Sequence, residues 1–341
     1  MLGEGQTPLV RSRFIGPALG LANLYFKLEN LNPTGSYKDR FAAVYASELV
    51  RDGHSLCIAT SSGNTGAALS AYCAAAGITC LLIVTDGAPL PKIHQMQLYG
   101  AAVFDLPKFG LDPGVTSAVF DQLDAFTTSR NIPLPVSAYR YCAQAMRGVQ
   151  TIAYELLDDL PDGLHHIFSP AGGGGLTLAL ARGVLAYGGQ HPAVHCVQPD
   201  GNDTMASNLR NGTDRATAVS AAKTTISGLQ VPSVIDGDAV IQACRQLGGT
   251  GYVVADEAVF SWQRELARRE GIFCEPAGAV ALTGLADACQ RGEVNPTDGV
   301  VCLVTGSGFK DMAAVSNTFA LPPLTRLPDM ATLHQTLVSL P

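Results

Sequence analysis

The sequence predicts an α/β protein built on open parallel sheet, and three observations carry that expectation. Apolar runs that end in small or polar residues alternate with helix-like stretches, which is the βα rhythm of a parallel sheet. Hydrophobic residues make up 47% of the chain and charged residues only 15%, with 36 glycines, a balance suited to strands buried on both faces and to tight strand-to-helix turns. At 341 residues the chain is long for one domain, so two domains or one large unit are expected.

Taken in order, the strand-like runs are Leu24 to Glu29, His54 to Thr60, Cys80 to Thr85, His166 to Ala171, Ala193 to Val197 and Val300 to Thr305. Helical stretches follow them at 41–46 and 67–76. A further helix is expected from Asp256 as cap, with Val259, Trp262, Leu266 and Ala267 on one face and Gly271 as stop. Residues 200–250 show no clear period and read as loops around a site or a lid. In open α/β sheets ligands bind beyond the carboxyl ends of strands, and every chemically suggestive loop here follows a strand.

The first such loop, Asn32-Pro33-Thr34-Gly35-Ser36-Tyr37-Lys38-Asp39-Arg40, puts a lysine at the mouth of a helix, with Ser36 as the expected cap. The positive end of the helix dipole favours loss of the ammonium proton, and a neutral lysine can condense with an aldehyde to a Schiff base, as pyridoxal phosphate (PLP) enzymes require. Alone, the segment also fits a solvated lysine in a capped turn. Thr60-Ser61-Ser62-Gly63-Asn64-Thr65-Gly66 offers amides and hydroxyls at a helix start, where Ser61, Ser62 and Thr65 would hold a substrate carboxylate or phosphate; Asn64 could donate to the phenolate oxygen O3′ of PLP. It too could be an ordinary capped turn.

Ser169-Pro170-Ala171-Gly172-Gly173-Gly174-Gly175-Leu176 again links strand to helix, and four glycines in a row suggest a backbone that approaches a phosphate closely. A dinucleotide fingerprint fits poorly: counted from Gly172 its third glycine is Thr177, and the next strand ends at Gln198 where an acid is expected. Thr305-Gly306-Ser307-Gly308-Phe309-Lys310-Asp311 follows the last strand, and a hydroxyl there could face the pyridine nitrogen of PLP. A neutral partner weakens the ring as an electron sink and favours elimination or replacement over transamination.

Taken together, Glu4-Gly5-Gln6-Thr7-Pro8-Leu9, the Lys38 segment, Ser62-Gly63-Asn64-Thr65, the glycine run, Gly271-Ile272-Phe273-Cys274-Glu275-Pro276-Ala277 and the Thr305 segment resemble the tryptophan-synthase-β (fold type II) PLP family, within it most closely threonine synthase. The resemblance implies two open parallel-sheet α/β domains with PLP in the cleft between them: 1–36 with 142–320 as the large domain, 37–141 as the small one, and 321–341 as a tail too short for a regulatory module. It implies Lys38 as the Schiff-base lysine and proton shuttle, Asn64 on O3′, Gly172, Gly173, Gly174 and Gly175 on the cofactor phosphate, Thr305 at the ring nitrogen, and Lys92 and Arg140 near a substrate phosphate. The implied reaction converts O-phosphohomoserine and water to threonine and phosphate, with phosphate leaving from Cγ and water adding at Cβ. The family's Asn-Ser-x-Asn-Pro-x-Arg run is here Pro135-Val136-Ser137-Ala138-Tyr139-Arg140, its histidine in TGHG is Ser307, and the glycine run looks more like that of serine and threonine dehydratases. These departures keep open β-elimination or β-replacement on serine, threonine, phosphoserine or a related amino acid, as in a dehydratase or a cysteate-synthase-like enzyme. A PLP-binding homologue without turnover is a further alternative.

A net charge of −7 with no basic block argues against nucleic acid as a partner. The nine scattered cysteines read as free core thiols in a reducing cytosol, and with no CxxC pair or HExxH helix no metal is expected. The N terminus lacks a basic and an apolar signal region, and no run of 18 apolar residues occurs, so a soluble cytoplasmic homodimer acting on a small amino acid, with no membrane partner, is expected.

Overall fold

The computed structural model describes residues 2–61, 63–110, 112–161, 163–189, 191–319 and 324–338. Its first part runs β1 (Leu9–Arg11), α1 (Ile15–Ala18), β2 (Asn23–Lys27), α2 (Lys38–Arg51), β3 (Leu56–Ser61), α3 (Asn64–Ala76), β4 (Thr79–Val84), α4 (Leu90–Leu98), β5 (Ala102–Asp105), α5 (Pro113–Ser129) and α6 (Tyr139–Asp159). The second part runs β6 (His166–Pro170), α7 (Gly175–Tyr187), β7 (Ala193–Pro199), α8 (Ala206–Arg210), α9 (Gly237–Gln246), β8 (Gly251–Val254), α10 (Asp256–Glu265), α11 (Val280–Gln290), β9 (Gly299–Leu303), α12 (Met312–Thr318) and α13 (Met330–Val338). This is the expected α/β alternation.

The strands form two sheets. One has the order β1-β2-β9-β6-β7-β8, parallel throughout except for the antiparallel β1–β2 pair; the other is β3-β4-β5, all parallel. Each of the six expected strands is present within a residue or two. Strands β1, β5 and β8 come in addition, and all three are short edges.

Helices α2, α3, α6 and α7 share a core with one face of both sheets, through Phe41, Leu69, Val149, Ile152, Leu178 and Ile167. The other face of the larger sheet packs on α10 and α11 through Phe26, Val259, Leu282 and Val300. Helices α2 and α6 cross so closely that a methyl on Gly148 would lie 2.1 Å from the Arg40 carbonyl. Arg40 locks the crossing from below: its guanidinium contacts Glu29 at 2.8 Å and Glu155 at 2.5 Å, while Lys27 meets Glu155 at 2.8 Å. Charged groups this buried need full pairing, and burial is opposed at Glu155 by hydrogen bonds to Arg40 and Lys27 that leave its carboxyl at about 2.

Two expectations about helix ends are corrected. Ser36 does not cap α2: its backbone bridges to Gly306, its hydroxyl is buried without a partner, and Asp39 closes the turn instead by accepting from the Thr34 amide at 2.8 Å and hydroxyl at 2.6 Å. Asp256 is the first residue of α10, not its cap, and its carboxylate accepts from Thr224 and Thr225. Helix α10 continues as a π-helical turn, Leu266–Glu270, which shifts the side-chain phase so that Leu266 is buried and Ala267 exposed. Gly271 does end it, at φ +71°. Helix α13, in the tail, has no buried residue. No helix among the described residues is long and apolar enough to cross a membrane.

Candidate active site

Three stretches far apart in sequence are stitched together around Lys38. The Tyr37 amide donates to the Thr305 carbonyl at 3.1 Å, the Ser307 amide to the Gly35 carbonyl at 2.9 Å, and the Glu275 amide to the Gly306 carbonyl at 3.0 Å. Short antiparallel bridges, Ser36 to Gly306 and Cys274 to Ser307, run through the same stretches. Lys38 opens α2, half-buried over the Tyr37 ring, and its Nζ donates to Ser137 Oγ at 2.5 Å.

Ser137 also reaches the glycine run, since a methyl on Gly175 would come 2.5 Å from its carbonyl oxygen. Gly174 has φ +96°, a left-handed conformation open to glycine, and a methyl there would lie 2.8 Å from Val240. A methyl on Gly172 or Gly173 would lie 3.0 Å from the Gly228 carbonyl oxygen or the Ile235 side chain, so protein packing supplies part of the reason for glycine here. Beyond them the 13-residue helix α7 starts, and its first-turn amides have no partner within the helix. The 200–250 region is wrapped over this loop: the Asp236 amide donates to Gly173, and its carboxylate accepts from the Tyr139 and Arg140 amides at 2.8 and 3.1 Å. Burial pushes the Asp236 carboxyl up against those two amides.

On the other side, Asn64 begins α3 and donates through Nδ2 to Glu275 Oε1 at 2.6 Å, leaving its own Oδ1 buried without a partner. Glu275, 2% exposed, meets Lys92 through Oε2 at 3.1 Å. Lys92 is itself only 1% exposed and also reaches Ser227 Oγ at 3.3 Å. Gly306 lies against this group, where a methyl would sit 2.1 Å from Glu275 Oε1. Lys310 braces the Lys38 turn from behind through Gln95, which bonds the Thr34 carbonyl; burial lowers its ammonium to about 8 against the pull of Glu275 and Asp39.

Of the residues expected here, Lys38, Asn64, Gly172 to Gly175 and Thr305, which is buried, therefore converge through direct neighbours. Ser61 Oγ accepts from the Gly63 and Gly66 amides at 3.0 and 2.7 Å and so closes the loop; Thr65 is half-buried in the first turn of α3; Ser62 lies outside the described residues. Arg140 is exposed, its guanidinium 5.9 Å from the Tyr141 ring centre. Sequence reasoning gave no role to Ser137, Asp236 or Glu275. Glu275 carried a signal, an acid between the apolar Cys274 and Pro276, whereas Asp236 sits in an aperiodic stretch.

Residues 1–306 match the family model described as "Pyridoxal-phosphate dependent enzyme". The chain belongs to that family. Among its relatives, the threonine synthase of Methanocaldococcus jannaschii is 30% identical over 91% of this chain and 76% of that protein. That of Synechocystis is 30% identical over 92% and 80%. Among solved structures, maize serine racemase superposes with a TM-score of 0.76 at 21% identity over 98% of this chain and 92% of that one. Threonine deaminase isoform 2 from Solanum lycopersicum gives 0.74 at 23%, over 93% and 84%. Both share the fold.

The family's cofactor fits these residues. A half-buried primary amine, the Asn64 Nδ2 with two hydrogens of which Glu275 takes one, the first-turn amides of α7 and the buried Thr305 are the amine, donor and anion-binding groups a phosphorylated pyridine aldehyde needs. A cavity of about 970 Å³ against β1 and α1, lined by Val10, Arg11, Arg13 and Gly20, shares no residue with them.

Proposed function

We propose that this chain is a PLP-dependent carbon–oxygen lyase of threonine-synthase type that converts O-phosphohomoserine and water to threonine and phosphate. The observation that carries the reading is the 30% identity to threonine synthases over more than nine-tenths of this chain. The cofactor, when bound, supplies an aldehyde that condenses with amines and a ring that accepts electron density from the substrate's Cα. Lys38 is the covalent anchor and, once free, the base; the Ser137 hydroxyl at 2.5 Å can hold or return the proton on its Nζ. Asn64, held by Glu275, orients toward the cofactor's phenolic oxygen, the amides at Gly172 to Gly175 take its phosphate, and Thr305 gives the ring nitrogen a neutral partner. Ser61, Ser62, Thr65, Lys92 and Arg140 serve the substrate. The division into 1–36 with 142–320, and 37–141, follows the two sheets, with 321–341 as a tail, and the enzyme works as a cytoplasmic homodimer.

One observation favours a second reading, β-elimination or β-replacement on an amino acid without a phosphate: Lys92 is already neutralised by Glu275, which leaves Arg140 as the uncommitted cation of the pair. Assaying phosphate release from O-phosphohomoserine beside keto-acid release from serine and threonine separates the two. Phosphate and threonine formation supports the first reading. Keto acid from serine or threonine, with O-phosphohomoserine untouched, overturns it.

A further inference from the structure

Three cysteines from three elements bring their sulfurs together inside the smaller-sheet core. Cys57 on β3 and Cys80 on β4 are register partners, and Cys73 on α3 packs over them. Their Sγ atoms all lie within 4.8 Å of one another, all three are free thiols, and the residues are 0%, 5% and 0% exposed, respectively. None has a part in the chemistry above. The sequence hides the group, because residues 57, 73 and 80 show no metal-ligand spacing.

We propose that Cys57, Cys73 and Cys80 form a binding site for a trivalent thiophilic metalloid, with arsenic(III) as its simplest ligand. Thiolates select soft centres, and among the described residues no histidine, carboxylate or fourth thiol joins the three sulfurs. Zinc in structural sites takes four, whereas trivalent arsenic, with its lone pair, is complete with three. Charge points the same way. The three thiols act on one another, Cys80 also meets Ser70, and all three sit in the apolar core with Ala59, Leu69 and Leu82. Three thiolates around a monovalent or divalent ion leave net negative charge in an apolar core, which is costly without a partner. Three thiolates around arsenic(III) leave none.

The exchange balances without an oxidant. Arsenite, As(OH)₃, loses its three As–O bonds and gains three As–S bonds; each hydroxide leaves with one thiol proton as water, and arsenic stays trivalent. The reagent is small and uncharged near neutral pH, so it meets the core as a neutral solute. The site lies on α3 two and a half turns from Asn64, at 3.6 residues per turn.

The other cysteines set the control. Cys244 and Cys302 are also buried free thiols, and among the described residues neither belongs to a group of three such donors. The reduced full-length protein, titrated with arsenite, should bind one arsenic in native mass spectrometry, with a mass gain of one arsenic less three hydrogens. Arsenic K-edge absorption should show three sulfur neighbours. Cys73→Ala should weaken binding on the order of tenfold or more, since one intramolecular contact is lost, while Cys244→Ala and Cys302→Ala should leave it unchanged. A first shell of two sulfurs and one oxygen in the wild type, or undiminished binding by a folded Cys73→Ala protein, overturns the proposal. The absorption spectrum of the wild type decides even where the variant does not fold.

Discussion

Gly306 has space for a hydrogen and nothing larger, because the Glu275 carboxylate occupies the place where a methyl would stand. Gly306→Ala should push Glu275 off Asn64 and lower turnover by roughly tenfold or more, the scale of one lost charge-assisted contact; normal kinetics would remove Glu275 from the positioning of Asn64. Lys38→Ala should abolish turnover while PLP still binds through the Gly172 to Gly175 loop, since anchoring the phosphate and handling protons are separate tasks. Borohydride reduction of the wild type followed by peptide mapping should find the cofactor on Lys38, and in the variant no such adduct. Lys92 and Arg140, equivalent as lone cations in the sequence, part company in the fold. Lys92→Ala strands Glu275 as a buried unpaired charge and should destabilise by on the order of 3–5 kcal/mol. Arg140→Ala should leave the denaturation midpoint alone and lower kcat/KM for O-phosphohomoserine by roughly tenfold to a hundredfold if that is the substrate. Lys38, Asn64 and the glycines are legible from their own neighbours in sequence, because turn chemistry and helix starts are local. Ser137, Asp236 and Glu275 are not, because each earns its place through a partner about 60 to more than 200 residues away.

Among elements, the three strands not legible in the sequence share a cause. β1, β5 and β8 are edges of three or four residues, and β1 and β5 are largely exposed, so they lack the long apolar run that marks a central strand. The π-helical turn after α10 escaped for another reason: periodicity assumes one pitch throughout, and Ala267 turns outward where the pitch widens. The crossing of α2 on α6 yields an element-scale expectation. Gly148→Ala places a methyl 2.1 Å from the Arg40 carbonyl, a backbone atom that moves only with its helix. Either α2 shifts, carrying Lys38 at its first residue, or stability falls by about 1–3 kcal/mol, as for overpacked cores. Urea denaturation beside kinetics reads both; a variant unchanged in each would mean that the helices separate freely.

At the scale of the molecule, the end of the larger sheet opposite the glycine run carries a chain of imidazoles. His195 Nδ1 accepts from the Thr250 amide at 3.1 Å, so its Nε2 hydrogen is left to donate to His166 Nδ1 at 3.0 Å, and His166 Nε2 then faces Asp298 at 3.3 Å. Burial holds His195 down to about 3, and His166 below the ordinary histidine range. Below pH 6.5 the unfolded chain therefore binds more protons than the folded one, so this contribution to stability is whole above that pH and falls as pH drops toward 3. At pH 5.5 His195 alone should remove about 1.4 kcal/mol. Denaturation midpoints for the wild type and His195→Gln across pH 7.5 to 5 should differ in slope, the variant being flatter; parallel curves would mean that His195 titrates as if exposed.

Strand β9 lies between β2 and β6, pairing Asn23 with Gly299 and Lys27 with Leu303. On the ribosome this sets a schedule. The three-stranded sheet uses residues 56–105 and can form while translation continues, but Leu24 and Phe26 have no neighbour on that side until residue 303 has left the exit tunnel. Thr305 and Gly306, which bridge to the Lys38 turn, are among the residues made next. A nascent chain stalled before β9 thus exposes an apolar strand that a chaperone can read as unfinished, and the anchoring lysine is locked in place only in a chain whose synthesis has passed its last strand.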